Sequence, residues 1–115
     1  MTKIVSLKKG EHFRRVLKER KVNTSFYTLF ASKNIKTTDK SQTLNISFVM
    51  KKKIGNAVKR NKIRRKLKGI VLKLTKINSA INYNYTYIVF GKSNAYIEKH
   101  DVLMQAMISS FKKIK

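Results

Sequence analysis

The sequence predicts a single α+β domain, and three observations support that fold class. The chain has 115 residues, a common size for one domain. Hydrophobic residues make up 42% of it, including six Phe and five Tyr, which supplies enough apolar surface to offset the entropy cost of ordering. Segments with the two-residue period of strands alternate with segments of helical period. We therefore treat residues 1–115 as one domain.

The first third of the chain predicts a helix, a strand and a loop. In residues 10–20, Phe13, Val16 and Leu17 share one face of a short amphipathic helix. Residues 22–32 are rich in aromatic and β-branched side chains and predict a strand with both faces occupied. Residues 33–42 are mostly polar and predict a loop.

The middle of the chain predicts a half-buried strand and a long basic helix. Residues 43–50 alternate between apolar and more polar side chains, so one face of this strand belongs to the core. Asn56 is placed to cap the N-terminus of the following helix. Apolar residues then recur at spacings of four and three, and this buried stripe comprises Ile63, Leu67, Ile70, Leu74, Ile77 and Ile81.

The last third predicts a central strand and a final helix. Residues 85–90 are strong β-formers. The helix is expected from about Tyr96 or Glu98 to Lys113. Its predicted buried residues are Leu103, Met104, Met107, Ile108 and Phe111. The order is α-β-β-α-β-α, with a further strand if residues 22–32 are broken in two.

Charge points to a polyanionic partner. The chain has 28 Lys and Arg against 5 Asp and Glu, a formal net charge of +23. Residues 40–97 contain no acid, and ten of the eighteen residues 51–68 are basic. Half of the six arginines lie there, at Arg60, Arg64 and Arg65, which favours planar contacts with phosphates or bases. Nucleic acid is therefore the favoured partner.

Two other interpretations of the basic helix stay open. Its charges could form only a solvated face over a core stripe, although crowding so many cations without acids costs self-repulsion. It could lie on a membrane surface, but the sheet requires its apolar stripe and no apolar wedge remains for lipid. The role of the aromatic residues is also open. Phe13, Phe26 and Phe30 could stack on unpaired bases or pack in the core.

Residues for catalysis or metal binding are scarce. The chain has no Cys and only two His. The local groupings are His12 beside Glu11, and His100 between Glu98 and Asp101, and we interpret them as surface residues and a helix N-terminus. We predict no catalytic residue and no metal ligand in this chain.

The sequence shows no feature of export or membrane insertion. The N-terminus becomes charged before an apolar signal core can form, and no apolar run approaches the ~20 residues of a membrane span. The absence of Cys agrees with a reducing compartment. We expect a cytoplasmic protein without a membrane partner.

The run that begins at Lys52 resembles the protein subunit of bacterial ribonuclease P. That family carries the signature Lys-Lys-x-Gly-x-Ala-Val-x-Arg-Asn-Arg-x-Lys-Arg at the start of its central helix. Lys62 and Arg64 replace the signature Arg and Lys conservatively. Leu7, Lys8, Lys9 and Phe13 resemble the family's first helix. The residues that match the signature in place are Lys52, Lys53, Gly55, Ala57, Val58, Arg60, Asn61 and Arg65.

The resemblance implies both a fold and a function. The fold would be α-β-β-β-α-β-α, similar to ribosomal protein S5 domain 2, with a left-handed β-α-β crossover. The function would be that of an RNA enzyme's protein subunit, which binds the catalytic RNA and the 5′ leader of precursor tRNA, one protein per RNA. The RNA would remove the leader using Mg²⁺. The alternative is a structural RNA-binding protein, such as a small ribosomal protein.

The resemblance also implies two groups of site residues. The first would contact the catalytic RNA, and comprises Lys52, Lys53, Arg60, Asn61, Lys62, Arg64, Arg65 and Lys68. The second would form the leader cleft between the first helix and the sheet, and comprises Phe13, Leu17, Thr28, Phe30, Asn45, Ser47 and Val49. Three positions depart from the family. Leu17 replaces a frequent aromatic residue, and Gly69 and Gly91 stand where relatives often carry side chains.

Overall fold

The computed structural model describes residues 3–5, 10–33, 43–77 and 80–114, which form a five-stranded sheet and three α-helices. The strands are β1 (Lys3–Val5), β2 (Arg20–Asn23), β3 (Tyr27–Lys33), β4 (Thr43–Val49) and β5 (Tyr85–Gly91). The helices are α1 (Gly10–Glu19), α2 (Ala57–Leu74) and α3 (His100–Ile114), with short 3-10 helices at Lys52–Ile54 and Ser93–Ala95.

The sheet has the order β1-β4-β5-β3-β2. β1, β4 and β5 are parallel, whereas β3 is antiparallel to both β5 and β2. The core lies on the sheet face that carries Leu29, Ile46 and Tyr87, and α2 and α3 cover it. α1 packs on β3 and β5, and its Leu17 lines a groove on the opposite face of the sheet together with Thr28 of β3. The predicted order α-β-β-β-α-β-α is confirmed, and β1 precedes it.

The predicted strand 22–32 is two strands because a turn at residues 24–26 divides it. The Thr24 hydroxyl oxygen accepts hydrogen bonds from the Phe26 and Tyr27 N–H groups at 3.2 and 3.1 Å. The Thr24 hydroxyl also donates to the Tyr27 carbonyl at 2.8 Å. These local bonds hold the turn, so β2 pairs with β3 as a hairpin. Most of the predicted loop 33–42 lies outside the described residues, and Lys33 ends β3.

The buried stripe of α2 is confirmed from Ile63 to Leu74, but its predicted extension is wrong. α2 ends at Leu74, and the Thr75 hydroxyl donates to the Leu72 carbonyl at 2.6 Å in the last turn. Ile77 is 50% exposed. Ile81 is buried, but it lies in the segment before β5 and not on α2. The helical spacing therefore continued by coincidence beyond the end of the helix.

The start of the last helix also differs from the prediction. α3 begins at His100, because the backbone carbonyls of Ala95, Tyr96 and Glu98 accept hydrogen bonds from the Lys66 ammonium group. Leu103, Met107 and Phe111 are buried as predicted, but Met104 and Ile108 are only half-buried.

Candidate nucleic-acid interface

The entry into α2 is held by a glycine and an asparagine. Gly55 has a φ of 154°, and a Cβ built there would approach Lys59 Cδ at 2.8 Å, so a side chain would be strained. The Asn56 side chain accepts a hydrogen bond from the Lys59 N–H at 3.0 Å, which confirms it as the N-cap. Lys52 and Lys53 lie in the preceding 3-10 helix rather than on α2, and both are exposed.

One side of α2 carries an arginine edge, defined as Arg60, Asn61, Arg64, Arg65 and Lys68. Because Ile63 and Leu67 face the core, helical periodicity places Arg65 on the opposite, exposed side. An Arg64 guanidinium nitrogen donates to Asn61 Oδ1 at 2.9 Å, which orients both side chains. This geometry presents planar donors to solvent along one side of the helix, an arrangement suited to phosphate oxygens.

Lys66 differs from its basic neighbours because its ammonium group serves the fold. It donates to the carbonyls of Ala95, Tyr96 and Glu98 at 2.8, 3.0 and 2.7 Å. Burial lowers the pKa of Lys66, the charge of Lys62 lowers it further, and Glu98 raises it. Lys66 thus fixes the segment that leads into α3. In the sequence it is one of ten basic residues within 51–68, and no local pattern sets it apart from the others.

A groove of about 570 Å³ lies between α1 and the sheet, beside the start of α2. Its aromatic floor consists of Phe30 and Phe90, whose ring centroids are 5.4 Å apart at an interplanar angle of 73°. The Lys51 ammonium nitrogen lies 5.4 Å from the centroid of the Phe90 ring. The lining residues are Leu17, Lys21, Thr28, Phe30, Lys51, Lys53, Ile54, Phe90, Gly91, Lys92 and Ser93. Aromatic rings between lysines suit a single nucleic-acid strand.

The structure gathers only part of the predicted leader cleft. Leu17, Thr28 and Phe30 line the groove. Asn45 and Ser47 share that sheet face but do not line the groove, because they pair in register with Thr86 and Ile88, which precede Phe90 on β5. Val49 pairs with Phe90 and also lies outside the lining. Phe13 belongs to α1, but its side chain lies outside the described residues.

Sequence reasoning missed several groove residues, above all Phe90 and Lys92. Phe90 lies across from Thr28 on the antiparallel neighbour β3, a relationship that only the sheet order reveals. The Lys92 ammonium group donates to Asn23 Oδ1 and to the Thr24 carbonyl, both at 2.6 Å. Asn23 Oδ1 also accepts from the Thr28 hydroxyl at 2.9 Å. Lys51 stood in the basic run, but no local signal set it apart from its neighbours.

The two unusual glycines have opposite surroundings. Gly91 is buried, and a Cβ there would meet the Met50 side chain and approach Ile63 Cγ2 at 3.0 Å. Met50 therefore fills the space that a side chain at position 91 would need. A Cβ on Gly69 would meet nothing within 4 Å, so this helix position is open.

Metal-binding groups are scarce here. Among the residues that the structure describes, no group of three or more His, Cys, Asp or Glu side chains is placed to hold a metal ion. Across the same described ranges, no helix is long and apolar enough to cross a bilayer.

Comparison with known proteins decides the family. The family model described as Ribonuclease P matches residues 1–115. The chain belongs to this ribonuclease P family. A Helicobacter acinonychis ribonuclease P protein component is 42% identical over 83 residues, which cover 59% of this chain and 53% of the relative. This chain spans about half the length of the curated ribonuclease P relatives it matches.

Solved structures of the ribonuclease P family share the fold. A Staphylococcus aureus RNase P protein at 24% identity superposes with a TM-score of 0.70, covering 95% of this chain and 93% of that one. The RNase P protein from Thermotoga maritima has 18% identity and a TM-score of 0.71, covering 96% and 98%. At these identities the likeness concerns the fold.

Proposed function

We propose that this chain is the protein subunit of a ribonuclease P, which binds a catalytic RNA and the 5′ leader of precursor tRNA and supports removal of the leader. The observation that carries the proposal is that the aromatic groove and the arginine edge adjoin one another along the chain. Lys51, Lys53 and Ile54 line the aromatic groove, and the chain turns at Gly55 directly into the arginine edge of α2. One RNA on the arginine edge and one single strand in the groove would therefore meet at this segment.

The groove suits the leader because its aromatic rings offer stacking surface for unpaired bases. Phe30 and Phe90 present ring surface, and Lys21, Lys51 and Lys92 surround it with charge. Stacking tolerates any base, since each base has a π-face, and it supplies about 1–3 kcal/mol per base. A site of this kind accommodates leaders of different sequence.

The arginine edge suits a structured RNA. A-form RNA hides its base edges in a deep, narrow groove, so a rigid helix contacts its backbone and shape. Arg65 and Lys68 are exposed on the side of α2 that faces away from the core, and Asn61 orients Arg64. We assign this edge to the catalytic RNA, with one protein bound to each RNA.

Chemistry in this proposal belongs to the RNA. In keeping with the family resemblance, we assign the Mg²⁺ that supports cleavage to RNA phosphates. The protein's groups neutralise phosphates and position the substrate. Since precursor tRNA is the substrate, we place the protein in the cytoplasm.

Reconstitution tests the proposal. The protein is added to a bacterial ribonuclease P RNA with precursor tRNA at low Mg²⁺, and release of the 5′ leader is followed on a gel. We expect faster cleavage at the mature 5′ end than with RNA alone. A protein that binds ribosomal RNA equally well and does not stimulate cleavage would support the structural RNA-binding alternative and overturn this function.

A further inference from the structure

The side of α2 opposite Arg60 and Arg64 carries a second cluster, the tyrosine edge, defined as Lys59, Lys62, Tyr96 and Ile97. The ammonium nitrogens of Lys62 and Lys59 lie 4.8 and 5.3 Å from the centroid of the Tyr96 ring. Lys59 also donates to the Ser93 hydroxyl oxygen at 2.8 Å. Lys59 and Tyr96 belong to neither surface that the sequence predicted.

Lys59 and Lys62 lie one helical turn apart, and the electron-rich face of the Tyr96 ring attracts both ammonium groups. This attraction offsets the weak repulsion between the two like charges. The one acid of the adjacent segment, Glu98, accepts a hydrogen bond from the Lys99 N–H through Oε1 at 3.0 Å. The ring therefore holds two ammonium groups close together, and an anion bound beside them would be attracted by both.

The segment that carries Tyr96 is fixed before any partner binds. Lys66 donates to its carbonyls at residues 95, 96 and 98, and Ala95 is fully buried. The Tyr96 N–H donates to the Ser93 carbonyl at 3.0 Å within the 3-10 turn. A pre-ordered surface loses little conformational entropy on binding.

Exposed apolar surface lies next to this ring. Ile97 is 85% exposed, more than Val58, Leu72, Ile77 or Val102 among the described large hydrophobic residues. Tyr96 itself is half-buried, which leaves part of its side chain accessible. An apolar side chain beside an aromatic one, with two ammonium groups above, matches a nucleobase flanked by its phosphates.

We propose that the tyrosine edge is a second RNA contact, in which Tyr96 and Ile97 pack against an unpaired base and Lys59 and Lys62 bind the phosphates that flank it. This inference rests on the proposed function, because it takes the catalytic RNA as the partner. α2 then contacts that RNA along both sides of its exposed face, through arginines on one side and through lysines and a tyrosine on the other.

Photocrosslinking tests the contact with the unaltered protein. The complete chain is bound to ribonuclease P RNA that contains 4-thiouridine, irradiated and digested with trypsin. We expect RNA attached to the peptide of residues 93–99, which contains Tyr96 and Ile97. RNA attached to other peptides of the protein without any on 93–99 would overturn the tyrosine edge and leave the proposed function standing.

Variants separate the stacking contact from the charge contacts. Tyr96→Leu keeps apolar volume and is expected to weaken affinity for the RNA about tenfold without changing its salt dependence, whereas Tyr96→Phe retains affinity. Lys59→Ala and Lys62→Ala should each reduce the slope of log affinity against log salt by about 0.7–0.9. Val102→Ala and Lys112→Ala, which alter exposed α3 residues outside both proposed surfaces, are the matched controls.

The outcomes distinguish the two proposals. If all of these variants match the wild type in affinity and in salt slope, the tyrosine edge is overturned. The proposed function still stands in that case if the wild-type protein stimulates cleavage. Failure of the wild-type protein to bind or stimulate the RNA overturns both. Thermal unfolding of each variant, followed by circular dichroism, identifies any affinity loss that comes from misfolding, and the crosslinking result then decides.

Discussion

Phe30 and Phe90 meet edge to face on the floor of the groove, with ring centroids 5.4 Å apart. They come from adjacent antiparallel strands, and Phe90 stands across from Thr28 rather than from Phe30 itself. The rings are therefore diagonal neighbours. Each is half-buried, so the pair contributes to packing and still presents apolar surface to the groove.

Phe90→Leu is expected to weaken binding of precursor tRNA to the reconstituted enzyme about tenfold and to leave binding of mature tRNA nearly unchanged. Leu retains apolar volume but has no ring for a leader base to stack on. Affinities for the two tRNAs, measured side by side, check this. Phe48→Leu is the control, because Phe48 is also half-buried but packs on the core side. Equal losses for precursor and mature tRNA would assign Phe90 to packing alone.

Arg65→Ala is expected to weaken binding to ribonuclease P RNA and to flatten its salt dependence by about 0.7–0.9 in log–log slope, because one phosphate contact is lost. Arg65→Lys should keep the slope while it loses part of the affinity. Arg14→Ala changes an exposed arginine of α1 and serves as the control. An unchanged slope for Arg65→Ala would identify this side chain as a solvated charge only.

Gly69→Ala and Gly91→Ala should change stability in opposite directions. Alanine at position 69 meets no atom and has higher helix propensity, so we expect a gain of about 1 kcal/mol in the free energy of unfolding. Alanine at position 91 would press on Met50 and Ile63 and is expected to cost about 1–3 kcal/mol. Urea unfolding measures both changes.

A double-mutant cycle checks the cause of the loss at Gly91. Because Met50 occupies the space beside Gly91, Met50→Ala should make the added methyl group less costly. Additive effects of the two substitutions would show that Met50 is not the obstacle.

Lys66→Met is expected to lower the free energy of unfolding by about 2 kcal/mol, since three carbonyls lose a charged donor while the aliphatic stem is kept. Lys68→Met is the matched control on the same helix, because Lys68 is exposed. Chemical denaturation gives both values. Equal stability of the two variants would contradict a structural role for Lys66.

Alkaline pH should weaken the fold partly through Tyr27. Burial raises the pKa of Tyr27 to about 12 from 10.0, and the hydrogen bond with Ser110 opposes this rise. The neutral phenol therefore contributes stability that is complete below pH 10 and is lost as pH rises through about 12. The difference in unfolding free energy between wild type and Tyr27→Phe should shrink over that range, and a constant difference would contradict this linkage.

The local elements of the fold followed from sequence pattern, because each was encoded by neighbouring residues. The stripe from Ile63 to Leu74 and the cap at Asn56 are examples. β1 could not be predicted, since three residues show no period and its pairing with β4 connects residues 40 apart along the chain. The predicted extension of the buried stripe to Ile77 was wrong because a residue beyond the end of a helix can keep the helical spacing by coincidence.

The candidate site was only partly predictable for a similar reason. Phe30 was identifiable because its strand alternates, but Phe90 joins the groove only once β5 lies beside β3. Lys66 stood within a dense basic run, and its role depends on carbonyls about 30 residues further along the chain. Relationships of this kind are set by tertiary packing, which no local pattern records.

In the proposed function, the groove beside the start of α2 binds the leader. The most direct measurement is the affinity of the reconstituted enzyme, relative to the RNA alone, for precursor tRNAs whose leaders grow one nucleotide at a time. We predict that the gain from the protein is small without a leader, rises over the first few nucleotides and then becomes constant. A gain that does not depend on leader length would contradict the claim.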